Sequence, residues 1–276
     1  KDVNRFWKLF YKLEKQFQGK DAPYSVCTQL KQQMEDLLDT LSGEITLNEE
    51  IEVINEVFAL QDEMDTMNQL VGIRHSVDTK DEFYDKEQEF FDQNGPIIQE
   101  FEQMFIDKLL SSNNKKGLLD KFGNLLFEQA ELQKKTFTPE IIPDLQLENK
   151  LSSEYSKLLA GAEIEFDGKI YNLSQMRPFS QDLKRETRHR AQLVVSDWFE
   201  TNEAEIDRIY DEMVKVRTKI AKTLGYENFV QLGYDRFGRT DYNHIDVKGY
   251  RDQIFESVVP VVNELTKRKA IRIGIE

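Results

Sequence analysis

The chain has 276 residues, of which 39% are apolar and 32% charged, with a formal net charge of −14. That composition fits a soluble globular protein of one large or two medium domains. It excludes nucleic-acid binding driven by phosphate contacts, which needs a basic surface. The densest apolar run, Val258-Val-Pro-Val-Val262, falls far short of the roughly 20 residues of a membrane-spanning helix, so no membrane partner is expected. The single cysteine, Cys27, cannot close an internal disulfide and suits a reducing compartment. The chain opens on Lys1-Asp-Val-Asn4 without an apolar leader, and the expected location is cytoplasmic.

Helical periodicity dominates. Val3, Phe6, Trp7, Phe10, Leu13 and Phe17 recur on one face, with Asp2 as cap and Gly19 as stop. A second helix follows Ala22-Pro23, with Val26, Leu30, Met34, Leu37, Leu38 and Leu41 inward. Thr46-Leu-Asn-Glu49 reads as a capping box. It opens a long helix through Ile51, Ile54, Phe58, Met64, Met67 and Val71, whose methionines read as core filling. Thr79-Lys-Asp-Glu82 reads as a second capping box. Gly95-Pro96 then predicts a kink or break near Gln93-Asn94, because proline lacks a donor and crowds the preceding turn.

The polar run Ser111-Ser-Asn-Asn-Lys-Lys116 reads as a loop or hinge, and a helix is expected from about Leu118 to Lys134. It separates an N-terminal helical group, 1–112, from a helical region with a hairpin, 113–276. Thr138-Pro139 offers a cap with proline in the first turn, and Pro143 bends or delays the helix behind it. Asp167-Gly168 between Ile164/Phe166 and Ile170/Leu173 predicts a tight hairpin within 164–173. Arg177-Pro-Phe-Ser180 leads into a helix carrying Leu183, Thr187, Ala191, Val194, Val195 and Trp198 inward. Asn202 caps the next, through Ile206, Ile209, Tyr210, Met213, Ile220 and Leu224, with Gly225 as its stop. A last helix begins near Asp246 and bends at Pro260. The fold class is mainly α, a multi-helix shell with one small β-hairpin.

Catalytic chemistry is sparse. His75, His189 and His244 include no His-Glu-x-x-His pair. Glu186-x-x-His189 is one half of a di-iron ligand set that needs a second such pair and two more carboxylates, and it reads as surface. Among 51 acids, no acid/base pair stands out. The basic cluster Lys184, Arg185, Arg188 and Arg190 reads as a solvated face paired with acids. The least bland segment is Leu232-Gly-Tyr-Asp-Arg-Phe-Gly-Arg-Thr-Asp-Tyr242. Tyrosine and arginine on a loop supply contact area and hydrogen bonds, although its arginines can equally anchor helix ends while its aromatics plug the core.

Five runs then read together: Ile164-Glu-Phe-Asp-Gly-Lys-Ile-Tyr-Asn-Leu-Ser-Gln175, Arg185-Glu-Thr-Arg-His-Arg-Ala191, Ile209-Tyr-Asp-Glu-Met-Val-Lys-Val-Arg217, Ala221-Lys-Thr-Leu-Gly-Tyr-Glu-Asn-Phe229 and Gly238-Arg-Thr-Asp-Tyr242. In this order they resemble the oligoendopeptidase F family of thimet-oligopeptidase-like zinc metallopeptidases. The resemblance covers most of the chain and is most specific from about residue 148 onward. It implies a helical shell around a channel that admits short peptides. In that family zinc and the glutamate of His-Glu-x-x-His activate water. That motif does not occur here, so no catalytic or zinc residue is carried over and no metal is expected on this chain. The resemblance implies an N-terminal, non-catalytic portion whose partners are short peptides and the missing C-terminal catalytic half. Tyr234, Arg236, Arg239 and Tyr242 are the candidate channel-lining residues. The alternative is an all-helical interaction or scaffold protein without enzymatic activity.

Overall fold

The computed structural model describes residues 23–274. The helix expected between Asp2 and Gly19 and the side chain of Cys27 lie outside the described residues. Three long helices come first: α1 (Pro23–Thr40), α2 (Leu47–Val77) and α3 (Glu82–Ser111). Thr46 and Glu49 form the expected capping box at the start of α2, each side chain meeting the other residue's backbone N–H. The second expected box is corrected. The cap of α3 is Asp81, whose carboxylate accepts from the N–H groups of Phe83 and Tyr84, while Thr79 lies in the preceding turn. A carboxylate at a helix N-terminus gains from the dipole as well as the hydrogen bonds.

Pro96 does not end α3, which runs unbroken from Glu82 to Ser111. Its missing N–H leaves the Asp92 carbonyl without a helical donor. Two side chains of α6 (Ile142–Ala160) cover the defect. Asn149 Nδ2 donates to Asp92 O at 3.2 Å and Gln146 Nε2 to Gln93 O at 2.7 Å. Ser153 Oγ donates to the Asp92 carboxylate, which also accepts from Gln88 Nε2. Sequence periodicity along α3 cannot show this cover, because it comes from residues more than 50 positions away.

The single helix expected over 118–134 is two, α4 (Lys115–Phe122) and α5 (Asn124–Thr136). Gly123 between them takes φ +83, a left-handed value that ends one helix and redirects the next. Thr138 makes no side-chain cap; a 3-10 turn at Pro139–Ile141 precedes α6, and Pro143 sits in the first turn of α6. One core joins α1–α5 through Met34, Leu38, Ile54, Val57, Phe105, Leu109 and Leu118. Met67, fully buried with Val71 and Phe91, is core as expected.

The hairpin pairs β1 (Ile164–Phe166) with β2 (Lys169–Tyr171), Ile164 opposite Tyr171. Asp167 and Gly168 both take positive φ, as a type I′ turn requires. Two three-residue strands cannot stand alone in water. Ile164 and Phe166 are buried with Met176 and Ala191, from α7 (Leu173–Ser180) and α8 (Arg185–Thr201). Arg190 reaches from α8 to the turn itself, its Nη1 donating to Asp167 Oδ1 at 2.6 Å, with its guanidinium over the Phe166 ring. The segment around Arg177-Pro178, expected to lead into a helix, is itself helical behind an Asn172–Gln175 capping box. Leu183, expected inward, precedes α8 and is 99% exposed.

Then α9 (Glu203–Thr223) and α10 (Phe229–Arg236) pack on α6 and α5 respectively. Asn202 does not cap α9 with its side chain; its amide instead donates to Trp198 O and closes α8. Ile209 and Ile220 are buried as expected, whereas Tyr210 is exposed. Gly225, at φ +82, terminates α9 with the Tyr226 N–H returning to Ala221 O. The last arm begins at His244, near Asp246 as expected, with Asn243 as its cap and the Asp246 carboxylate completing that box. It comprises α11 (His244–Gln253), a π-helical turn at Ile254–Val258 and α12 (Val259–Ile273). The bend expected at Pro260 is taken up as this wider turn, where the ring displaces the preceding backbone.

Replacing Asn149 with Ala uncovers the Asp92 carbonyl and lowers stability by about 1 kcal/mol, read as a fall in Tm. In a Pro96→Ala background an N–H returns at position 96, so the same replacement costs less. Equal losses in both backgrounds would show that Asn149 does not serve the proline defect.

Candidate functional site

α10 starts at Asn228, whose side chain accepts from the Val230 N–H. Its inner face places Leu232 in the second core with Ile141, Leu145, Leu151, Ile209 and Ile220. Asp235, also buried, accepts from Tyr226 Oη at 2.7 Å and Gln231 Nε2 at 2.8 Å. Burial and the Asp235 carboxylate push the Tyr226 phenol well above the usual tyrosine range.

The four candidate residues separate into two groups. Arg236 turns inward. Its Nη1 donates to both oxygens of Glu148 on α6, at 3.0 and 3.3 Å, and Arg217 Nε of α9 donates to the same carboxylate at 2.7 Å. Glu148 is only 4% exposed. Both guanidiniums lie against the Phe229 ring, at 5.8 and 5.2 Å from its centroid. One helical turn earlier on α6, Asp144 accepts from Lys219 Nζ at 2.7 Å. This knot ties α6, α9 and α10 together.

The other three residues gather outside it. Gly238, at φ +64, folds the chain back so that Arg239 N–H reaches Tyr234 O. The Arg239 guanidinium then lies over three rings: Tyr234 at 4.8 Å, Phe237 at 5.1 Å and Tyr242 at 5.2 Å. The Tyr234 and Tyr242 rings meet edge to face, and His244, which sequence reasoning did not select, brings its ring to 6.4 Å from that of Tyr234. Such stacking holds a guanidinium in place while leaving its N–H groups available. Arg239 and Thr240 also line a hollow of about 350 Å³ with Lys115, Phe127, Glu128, Glu131, Leu132 and Lys135. No nucleophile–base pair forms at this loop.

Among the described residues, no group of three or more His, Cys, Asp or Glu side chains fits a metal ion. His189 is exposed beside Arg188, which donates to the carbonyls of Asp182 and Leu183. A separate acidic cleft of about 420 Å³ lies between α2, α3 and α5, lined by Asp62, Asp65, Glu102, Gln129 and Gln133. Burial first, and the neighbouring Asp65 second, raise Glu102 to about 7. No helix among the described residues is long and apolar enough to cross a membrane.

Residues 20–137 match the family model of the Peptidase M3 N-terminal domain. The fold superposes on a putative oligoendopeptidase F from Bacillus anthracis str. Ames at 45% identity and a TM-score of 0.87, covering 91% of this chain and 46% of that one. A second putative oligoendopeptidase F, solved at 3.1 Å, gives 42% identity, a TM-score of 0.87 and coverage of 90% and 44%. PZ peptidase A, solved with an inhibitor, gives 42% identity, 0.87, and coverage of 91% and 44%. The sequence matches no curated protein. A helical fold with this domain match resembles the N-terminal portion of an M3-type peptidase. The chain is similar to these oligoendopeptidase F structures over about nine-tenths of its own length, and it spans less than half of theirs.

Glu148→Gln removes the charge shared by Arg217 and Arg236 and, with both arginines still part-solvated, lowers stability by roughly 1–3 kcal/mol in denaturant unfolding; an unchanged midpoint would show the pairs to be fully screened. Glu102 titrates above its ordinary value in the fold. Unfolding therefore releases its proton between about pH 4.5 and 7, and stability falls as pH rises through that window. Glu102→Gln should raise Tm by a few degrees at pH 8 and leave it unchanged near pH 4. A gain of the same size at both pH values would rule out the titration.

Proposed function

We propose that this chain is the non-catalytic wall of a zinc-dependent oligoendopeptidase, facing short peptides with its 234–244 loop and packing on the remainder of its parent protein. The observation that carries the reading is the coincidence of family and surface. The fold is that of oligoendopeptidase F, and the segment beyond the candidate loop is apolar and uncovered. None of the residues of α11, the π turn or α12 is buried. Val258, Val261, Val262 and Leu265 stand exposed at helical spacing, as do Phe237, Ile245, Tyr250 and Phe255 nearby. An apolar stripe of this length on an acidic chain calls for a covering surface.

Zinc, when bound to such an enzyme, polarises the scissile carbonyl and lowers the pKa of water. The described side chains do not fit that ion, so its ligands belong to the remainder of the parent. The wall contributes binding. Tyr234, Tyr242 and His244 offer flat polar-edged surfaces to an extended peptide, and Arg239 offers donors. The Glu148 knot holds the helix that carries them.

The parent polypeptide should cleave a short fluorogenic peptide with zinc bound stoichiometrically. The purified 276-residue chain should bind no stoichiometric zinc and cleave nothing. Zinc-dependent cleavage by the chain alone would overturn this assignment, and a parent inert toward every peptide of a random short library would favour the scaffold.

A further inference from the structure

We infer that the hollow beside Arg239 is a carboxylate subsite, in which Arg239 and Lys115 receive the carboxylate of a short peptide while Phe127 and Leu132 line its apolar floor. The inference rests on the peptide-channel reading and goes further by naming the chemistry that the loop recognises.

Acids outnumber bases 51 to 37 in this chain, and the other half-buried cations near the loop are neutralised. Arg217 and Arg236 share Glu148, and Arg208 meets Glu154, Glu205 and Glu212. Arg239 and Lys115 are the exceptions in this neighbourhood. Both are half buried, both line the same hollow, and among the described residues neither has a carboxylate at ion-pair distance. Each is held by rings instead: Arg239 by Tyr234, Phe237 and Tyr242, and Lys115 by Phe127, its Nζ 5.6 Å from the ring centroid. Aromatic faces position a cation without cancelling its charge. A half-buried charge is screened less than an exposed one; the exposed Glu128 and Glu131 also line the hollow, against three cations, Arg239, Lys115 and the exposed Lys135. A guanidinium with its face stacked and its edge free presents paired donors to a carboxylate. The hollow's volume of about 350 Å³ suits one or two residues of a peptide rather than a whole ligand.

The carboxylate has two sources, a peptide C-terminus or an acidic side chain. The experiment uses the full-length parent and three probes: a neutral fluorogenic heptapeptide with a free C-terminus, its C-terminal amide, and the amide carrying one glutamate. Charged hydrogen bonds of this kind correspond to roughly tenfold or more in kcat/KM. The wild type should prefer the free acid to the amide by that factor if the C-terminus is read, or the glutamate amide to the plain amide if a side chain is. Arg239→Gln should abolish the preference, bringing the ratio of the two kcat/KM values to about one whatever happens to the plain amide, while Arg239→Lys retains part of it. Fluorescence anisotropy of the same peptides on zinc-free parent reads the ratio without turnover and covers variants of low activity. Three equal probes in the wild type, or a preference that survives Arg239→Gln, would overturn the inference. Tyr242→Ala separates the two readings. If it weakens all three probes at unchanged Tm while no carboxylate preference exists, the channel wall stands and the carboxylate subsite falls. If it changes none, the wall itself is lost.

Discussion

The architecture depends on how α6 repairs a proline. A 30-residue helix with Pro96 inside it carries a carbonyl that its own backbone cannot satisfy. Asn149 and Gln146 supply side-chain donors to the carbonyls at Asp92 and Gln93, and Ser153 fixes the Asp92 side chain beside them. The Asp92 carbonyl is part-buried, so leaving it bare costs more than the same loss at an exposed carbonyl. The defect therefore selects one placement of α6 against α3, and a helical register one residue off would miss it.

The same helix turns its other side to a different problem. Asp144 and Glu148 stand four residues apart and face Lys219, Arg217 and Arg236. Two arginines on one buried carboxylate over-supply charge, which permits desolvation that a single pair would not repay. Phe229 lies beneath both guanidiniums and excludes water from one face. Polar contacts on α6 thus set position on both flanks, while apolar residues such as Leu145 and Leu151 supply burial. Position and burial come from different residues of one helix.

This division explains what was legible in the chain. Periodicity found the helices because it reports burial: Ile54, Met67, Ala191, Ile209 and Ile220 are all in cores. The hairpin was legible because Asp-Gly answers a local backbone demand, met at φ 50 and 76. The misses were contests between local options. Thr79 and Asp81 both offer a cap, and the carboxylate wins. Asn202 can serve the helix before or after it, and serves the one before. Gly123 splits a run whose apolar pattern continues across it. The continuity of α3 through Pro96 was illegible locally, since the donors that permit it lie on α6. Within the candidate loop, residue types marked the segment, yet nothing in the string distinguished Arg236 from Arg239 or pointed to His244.

That distinction follows from backbone geometry. Arg236 still belongs to α10, so its direction is set by the helix face that buries Leu232 and Asp235, and it points toward Glu148. Two residues later Gly238 has taken the left-handed conformation, and Arg239 is carried back over Tyr234. A residue with a Cβ at position 238 would resist that φ and would let the helix run on, bringing Arg239 off the rings. One arginine is thereby spent on stability and the other kept free of carboxylates. Because the knot immobilises α10 on α6 and α9, the rings around Arg239 are presented from a fixed base. A loop fixed in this way has little freedom left to lose on binding, which is what favours the proposed binding role for a segment directly behind a charge-locked helix.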